Sequence, residues 1–350
     1  MKKLLLKSIL LIVPILLLIA GTNYYIDPAH QFSEEYYRKA ANLLKHDNIV
    51  LAGNCDERKL LNYFVKQKSK VELIILGSSR SLIIDQEHVN SNSILNLCSS
   101  GSDFEDLIAT YYLYESTHGT PQKVLIGIDP WMFNINRKSN RYLKFGDNYD
   151  KMADKLNIPP TADQLEQESA LETLFSLDYF QSSLLSLIEH GVDGATTQII
   201  KGTESEQKIK TSNGILKYGK NWQTDKSMIE IAAKRYIASG EIYGFSNFSE
   251  VSSERVQKFE LFFNYLKDKG VSAEVFLSAY HPMVWDYFEL NSEKYSPIFK
   301  SEQSIIVLCA KYDIPIIGSF SPKKTNLVST DFYDGMHLNL TGLQKVFTAP

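Results

Sequence analysis

Cysteine is scarce in this chain of 350 residues, which contains only Cys55, Cys98 and Cys309. None of them belongs to a Cys-x-x-Cys pair or has a neighbouring pair of histidines, so we expect no zinc site and no other metal. Three thiols can form at most one disulfide. Cys98 and Cys309 stand among apolar or small residues, which predicts that both lie in the core.

The chain also lacks an excess of basic residues. It has 37 Lys and Arg against 41 Asp and Glu, which gives a formal net charge of −4. Nucleic-acid binding needs a basic face, so we expect no nucleic-acid partner. Because 44% of the residues are hydrophobic, the chain can bury a large core in one or two domains.

A long apolar run lies at the N-terminus, where residues 4–20 contain a single lysine and two further lysines precede them. At about 1.5 Å per residue, a helix of this length nearly crosses a hydrocarbon core of about 30 Å. We predict an N-terminal transmembrane helix, or a signal, over residues 1–22 and a helical lead-in over residues 23–69. The leading lysines predict a single-pass protein of the inner or cytoplasmic membrane with an extracytoplasmic domain. A cleaved signal peptide is the alternative, since Ala20-Gly21-Thr22 is a fair match to a cleavage site.

Short apolar segments that alternate with helical patterns follow this region. We predict strands at residues 71–76, 94–97, 123–129, 271–277 and 314–318. Such alternation predicts an α/β domain over residues 70–350, with three α/β/α layers and a mostly parallel sheet. Strand signals fade between about residues 135 and 247, which predicts a helical insertion.

The first of these strands ends in Gly77-Ser78-Ser79. A strand that stops on glycine and serine presents a hydroxyl at the carboxyl edge of the sheet, where ligands bind in open α/β sheets. Taken alone, the same residues are also typical of a strand followed by a polar turn.

A second polar cluster, Asp334-Gly335-Met336-His337, lies near the C-terminus. The spacing lets the Asp334 carboxylate reach Nδ1 of His337, fix its tautomer and leave Nε2 free to take a proton from a serine. An isolated Asp-x-x-His is common, so this motif indicates a catalytic site only in combination with the Gly-Ser-Ser strand end.

The two clusters together resemble the SGNH (GDSL-like) hydrolase superfamily, over about residues 70–130 and 250–345. The resemblance implies that Ser79 is the nucleophile, Asp334 the orienting carboxylate and His337 the base. In that superfamily the Asp and His stand three residues apart near the end of the chain, whereas α/β hydrolases usually separate them widely.

The oxyanion site is where the sequence departs from this family. Asn96-Leu-Cys-Ser-Ser-Gly101 resembles the block whose glycine donates a backbone N–H. The next block normally supplies an Asn, but here it reads Gly127-Ile-Asp129-Pro130, and an ionised carboxylate repels an oxyanion. Asn96, Asn134 and the backbone N–H of Ser79 are the remaining candidate donors.

The membrane-anchored Gly-Ser-Ser form is similar to the extracytoplasmic SGNH-like proteins of cell-surface polymer acylation, such as DltD, AlgJ and AlgX. This similarity implies transfer of an O-acyl group, with acetyl expected, or ester hydrolysis on an extracytoplasmic polysaccharide through an acyl-serine, without a cofactor. The implied partners are a cell-surface glycan acceptor and a multi-pass membrane O-acyltransferase. The alternatives are a general SGNH lipase or esterase and a non-catalytic scaffold of an acyltransferase complex.

Four further residues near the predicted sheet edge are candidates for substrate binding: Arg80, Asp129, Trp131 and His281. Arg80 could bind an anionic group, and Trp131 could stack on a sugar ring. Their structural alternatives are an ion pair for Arg80 and core packing for Trp131. His281 follows a strand at the same edge, where it could line the acceptor site or act as an alternative base.

Overall fold

The computed structural model describes residues 2–50, 55–159, 170–195, 200–201, 208–219, 226–239 and 242–348. Within helices and strands, the side chains of residues 2–9, 190, 192–195 and 200 are outside this description.

The strands of the described part are β1 (Ile49–Val50), β2 (Leu73–Leu76), β3 (Ile94–Asn96), β4 (Lys123–Gly127), β5 (Ile200–Lys201), β6 (Ile209–Lys210), β7 (Leu216–Lys217), β8 (Ser272–Leu277) and β9 (Ile316–Gly318). Its helices are α1 (Lys2–Ile26), α2 (Glu34–Leu44), α3 (Glu57–Phe64), α4 (Phe104–His118), α5 (Asn148–Lys155), α6 (Ala170–Phe175), α7 (Leu177–Ala195), α8 (Lys226–Ala238), α9 (Ser253–Asp268), α10 (Pro282–Leu290), α11 (Ser292–Lys311) and α12 (Leu340–Thr348).

The main sheet has five strands in the order β3-β2-β4-β8-β9. All four neighbouring pairs are parallel, and Leu73 of β2 lies opposite Ile94 on one side and Lys123 on the other. The predicted α/β class with a parallel sheet is therefore confirmed. Each of the five strands of the main sheet lies within its predicted segment, and the differences at the ends are one or two residues.

The central strands are buried on both faces, which explains their continuous apolar sequences. Ile74 and Leu76 of β2 belong to one core cluster, whereas Leu73 and Ile75 belong to another. Helices α4, α9 and α11 contribute to the first cluster, while α12 and one residue of α8 contribute to the second. Helices therefore cover both faces, an arrangement compatible with three layers.

The cysteines follow the prediction made for the core. Cys98 and Cys309 are both buried, and burial raises the pKa of each thiol. All three cysteines are free thiols.

The insertion between residues 135 and 247 is not purely helical, which corrects the prediction. It contains α5, α6, α7 and α8, but also β5, β6 and β7. With β1 these strands form an antiparallel sheet in the order β5-β1-β6-β7, in which Ile49 lies opposite Lys201 and Lys210. Each of these strands has two residues, too few for an alternating pattern to be visible in the sequence.

At the N-terminus, α1 packs against α6 and α7. Across the residues that the structure describes, no helix combines the length and the apolar character needed to cross a membrane. The side chains of residues 2–9 are outside that description. The transmembrane helix predicted over residues 1–22 is thus unsupported by the described residues and stays a prediction.

Candidate active site

Ser79 lies where β2 reaches the carboxyl edge of the main sheet. The chain leaves β2 through Gly77 and Ser78 and enters a 3₁₀ turn over Ser79–Ser81. A Cβ at Gly77 would lie 2.8 Å from Oγ of Ser81 and 3.3 Å from Cα of Gly127, so only glycine fits where the chain leaves β2 beside the end of β4. The Ser78 hydroxyl accepts the N–H of Arg80 at 3.2 Å and thereby caps the turn. Ser79 is left half-buried at the edge.

The loop that carries His337 is closed by its own aspartate. Oδ1 of Asp334 accepts the backbone N–H of Met336 at 2.8 Å and that of His337 at 2.9 Å. The N–H of Tyr333 donates to the carbonyl of His337 at 2.8 Å. These bonds hold the carboxylate beside the imidazole, where Nδ1 of His337 lies 2.9 Å from Oδ2 of Asp334.

The structure brings the predicted nucleophile, base and orienting carboxylate together. Oγ of Ser79 lies 2.9 Å from Nε2 of His337, on the ring edge opposite the Asp334 contact. Burial alone would raise the pKa of the Asp334 carboxyl. The charge and hydrogen bond of His337, together with the backbone N–H bonds of Met336 and His337, outweigh it, and the pKa lies below its ordinary value. An ionised Asp334 favours a tautomer with the proton on Nδ1, which leaves Nε2 able to accept the serine proton.

The two asparagine side chains predicted as candidate oxyanion donors are engaged elsewhere. The Asn96 amide donates to the carbonyls of Ser81 at 2.9 Å and Ile84 at 3.1 Å. The Asn134 amide donates to the carbonyl of Gly244 at 3.0 Å. Both residues are buried. They hold local backbone in place, and we withdraw them as oxyanion donors.

Arg80 and Asp129 form a buried ion pair, which corrects their assignment as candidate substrate-binding residues. Nη1 of Arg80 lies 2.9 Å from Oδ1 of Asp129, and the side chains are 1% and 3% exposed. The same guanidinium donates to the carbonyls of Met336 at 3.0 Å, Ala279 at 2.9 Å and Ser278. Arg80 thus links the ends of β2, β4 and β8 to the loop that carries His337. Asp129 has no free charge to place against an oxyanion.

Trp131 is a core residue, so its predicted role as a stacking platform is wrong. Its side chain is buried, and its Nε1–H donates to the carbonyl of Ser102 at 3.0 Å. A Cβ at Gly244 would clash with Trp131, and Tyr243 packs edge-on against it.

His281 is fully buried, so it does not line an open acceptor site as predicted. Its Nδ1 accepts the N–H of Met283 at 3.2 Å and caps the start of α10. Its backbone N–H donates to the carbonyl of Gly335 at 3.1 Å, which supports the loop of His337. Burial lowers the pKa of His281 despite the opposing charges of Glu230 and Asp334.

Gly101 lies in the segment that follows β3, at the same sheet edge as Ser79. Its φ is +62°, and a Cβ would clash with the side chains of Arg141 and Tyr243. Arg141 is exposed, and its Nη1 donates to the Tyr243 hydroxyl at 3.3 Å. Sequence reasoning missed both residues because they belong to the insertion, where no motif marked them.

Tyr236 on α8 was also missed. Its ring packs on Gly335, where a Cβ would lie 2.8 Å from the nearest ring carbon, and its hydroxyl lies 3.2 Å from Sδ of Met336. The insertion therefore touches the loop that holds Asp334 and His337.

No described cluster of three His, Cys, Asp or Glu residues could hold a metal ion. Neither the models of known protein families nor the curated proteins include a match to this chain.

Proposed function

We propose that this protein carries out serine-dependent O-acyl transfer, or ester hydrolysis, on an extracytoplasmic cell-surface polysaccharide, as an SGNH-type enzyme. The observation that carries the proposal is the continuous hydrogen-bonded chain from Ser79 through His337 to Asp334. A serine needs an adjacent base to become a nucleophile, and the base needs a group that orients it.

In the first step, Nε2 of His337 takes the proton of the Ser79 hydroxyl while Oγ attacks the ester carbonyl carbon. The carbonyl oxygen becomes an oxyanion, for which we assign the backbone N–H groups of Ser79 and Gly101 as donors, because the asparagine amides nearby are already bonded. The oxyanion then collapses, the C–O bond to the leaving alcohol breaks, and His337 returns the proton to that alcohol. The product is an acyl ester of Ser79.

In the second step, His337 deprotonates a sugar hydroxyl or a water molecule, which attacks the acyl carbon. Collapse of the second oxyanion releases Ser79, and the proton on His337 returns to Oγ. Transfer and hydrolysis thus differ only in the acceptor. The exposed Arg141 beside Gly101 supports a role for the insertion in selecting that acceptor.

We further propose that α1 anchors the protein in the inner or cytoplasmic membrane, with the site on the extracytoplasmic side and a multi-pass O-acyltransferase as partner. Leu10–Val13 are consecutive residues of α1, and all four are exposed apolar side chains. A helix that is apolar on all sides suits a lipid environment.

The test is an assay of the full chain in detergent on a small acyl ester, with and without a polysaccharide acceptor. Transferase activity predicts acylated polysaccharide and a faster loss of ester when the acceptor is present. A plain esterase would release acid at the same rate in both cases. In cells, Ser79→Ala should lower glycan acyl content at unchanged protein level. Unchanged acyl content would favour a non-catalytic scaffold.

A further inference from the structure

Exposed apolar side chains are concentrated on three helices. Of the 23 large hydrophobic residues that are exposed in the described part, ten lie on α1 and six on α6 and α7. The six are Leu171, Phe175, Leu177, Leu184, Leu185 and Ile188. A soluble surface rarely gathers apolar groups in this way unless they are covered by a partner or a membrane.

Helices α6 and α7 are attached to α1 by polar bonds that are partly or fully buried. The Asn23 amide of α1 donates to the carbonyls of Leu174 and Ser176, each at 3.0 Å. On α7, the hydroxyl of Ser183 donates to Oδ1 of Asn23 at 3.2 Å, and that of Tyr179 donates to Oδ1 of Asp27 at 2.6 Å. These polar side chains form hydrogen bonds between the helices.

The same contacts fix the direction of α7. Tyr179 meets Asp27 and Ser183 meets Asn23, so α7 runs antiparallel to α1, toward its apolar run. Farther along, Leu187 lines a shared cavity with Leu17. Leu17 lies three residues inside the apolar run that ends at residue 20, a depth of about 5 Å at the helical rise. The second half of α7 therefore lies beside the part of α1 that we propose to be in lipid.

The outward face of α7 carries three exposed apolar side chains together with the uncharged, exposed Gln181. Leu177, Leu184 and Ile188 are 68%, 38% and 79% exposed, and their spacing of seven and four residues places them on one face. Residues 179–188 contain no charged side chain.

We propose that the second half of α7, around Leu184, Leu185 and Ile188, is a second membrane-contacting element that enters the acyl-chain boundary of the extracytoplasmic leaflet beside α1. The proposal rests on the membrane anchoring proposed for α1, which it extends to a part of the insertion. Lipid, rather than a protein, is the occupant because the apolar surface continues onto Leu10–Val13 of α1, where four consecutive exposed residues cover all sides of the helix. A bilayer covers such a surface and a single docked protein does not. Such a contact fixes the height and tilt of the catalytic domain above the membrane.

The test places an environment-sensitive fluorophore on single introduced cysteines in the full chain, reconstituted in phosphatidylcholine vesicles. Ile188→Cys reports on α7, Leu11→Cys on α1, and Val307→Cys, which replaces a residue 60% exposed on α11, is the matched control. The unsubstituted chain, treated alike, gives the background from the native cysteines. Quenching is measured with lipids that carry a nitroxide on the acyl chain and with aqueous iodide.

We expect the fluorescence emission of the label at position 188 to be blue-shifted, quenched by the nitroxide lipid and shielded from iodide. At position 307 we expect no blue shift, quenching by iodide and no quenching by the nitroxide lipid. Iodide quenching at 188 as strong as at 307 would overturn the proposal, since α7 would lie in water. Shielding of 188 from both quenchers would also overturn it, because a second copy of the chain would then cover the face. The label at position 11 tests the anchor itself. None of these readings requires acyl transfer, so failure of the inference is distinguishable from failure of the proposed enzyme activity.

Discussion

Replacement of Asp129 by alanine should lower the free energy of unfolding by about 3–5 kcal/mol, because it leaves the Arg80 charge buried without its carboxylate. The ion pair is almost fully excluded from solvent, with side-chain exposures of 1% for Arg80 and 3% for Asp129. Burial also raises the pKa of Asp129, an effect that the charge of Arg80 opposes. The two charges are therefore costly to bury, and each is tolerated only in the presence of the other.

The lower half of that range is the better expectation. Arg80 keeps its hydrogen bonds to the carbonyls of Met336 and Ala279 after the substitution, and these partly compensate its charge. A matched control is Glu35→Ala, which breaks a 2.8 Å pair with Lys39 whose side chains are 69% and 67% exposed. That change should leave the free energy of unfolding nearly unchanged, because water screens an exposed pair.

The assay is urea denaturation of both variants followed by tryptophan fluorescence, together with steady-state kinetics on a small ester. We expect Asp129→Ala to be strongly destabilised and to lose kcat at temperatures where it stays folded, because Arg80 supports the loop of His337. An Asp129→Ala protein as stable as wild type, with a raised KM as its sole defect, would refute the structural role and restore the substrate-binding interpretation.

Three further predictions concern the site. Asp334→Asn should reduce kcat by about 10³–10⁴-fold while Tm changes little, because the tautomer of His337 is no longer fixed. Pre-steady-state kinetics would check this, and a loss of kcat under tenfold would contradict it. Gly101→Ala keeps the backbone N–H, but its Cβ would clash with Arg141 and Tyr243 and displace that donor, so kcat should fall by about 10²-fold or more. Gly119→Ala, at a similar φ of +77° but with only Lys70 nearby, should cost stability alone. Equal kinetics of the two variants would contradict the oxyanion assignment. Burial lowers the pKa of His281 in the folded protein, so the His281 imidazole binds a proton more readily in the unfolded chain. The contribution of His281 to stability is therefore present above about pH 6.5 and is lost as the pH falls below that value. His281→Asn, which keeps a helix-capping oxygen, should flatten this slope in denaturation curves from pH 8 to pH 5, and an unchanged slope would exclude His281 as its source.

The main sheet and the triad could be predicted from the sequence for a shared physical reason. Parallel strands buried on both faces are continuous apolar runs, and their ends meet at one edge, so Ser79 and the Asp334–His337 turn could be expected to converge. The short spacing of Asp334 and His337 makes their contact a local one, which one stretch of sequence can encode.

The surroundings of the triad could not be predicted because they depend on contacts between distant segments. Arg80 and Asp129 pair across neighbouring strand ends, 49 residues apart. The amide of Asn96 satisfies backbone carbonyls, a use that its residue type does not reveal. Tyr236 reaches Gly335 only because α8 folds back from the insertion over the sheet edge.

Covalent labelling shows whether Ser79 is a nucleophile activated by His337. The full chain is treated with a fluorophosphonate, and the adduct is located by peptide mass spectrometry in wild type, Ser79→Ala and His337→Ala. We expect one adduct, on Ser79, that is absent in Ser79→Ala and forms much more slowly in His337→Ala. Equal labelling of wild type and Ser79→Ala, or no labelling of the folded wild-type protein, would contradict it.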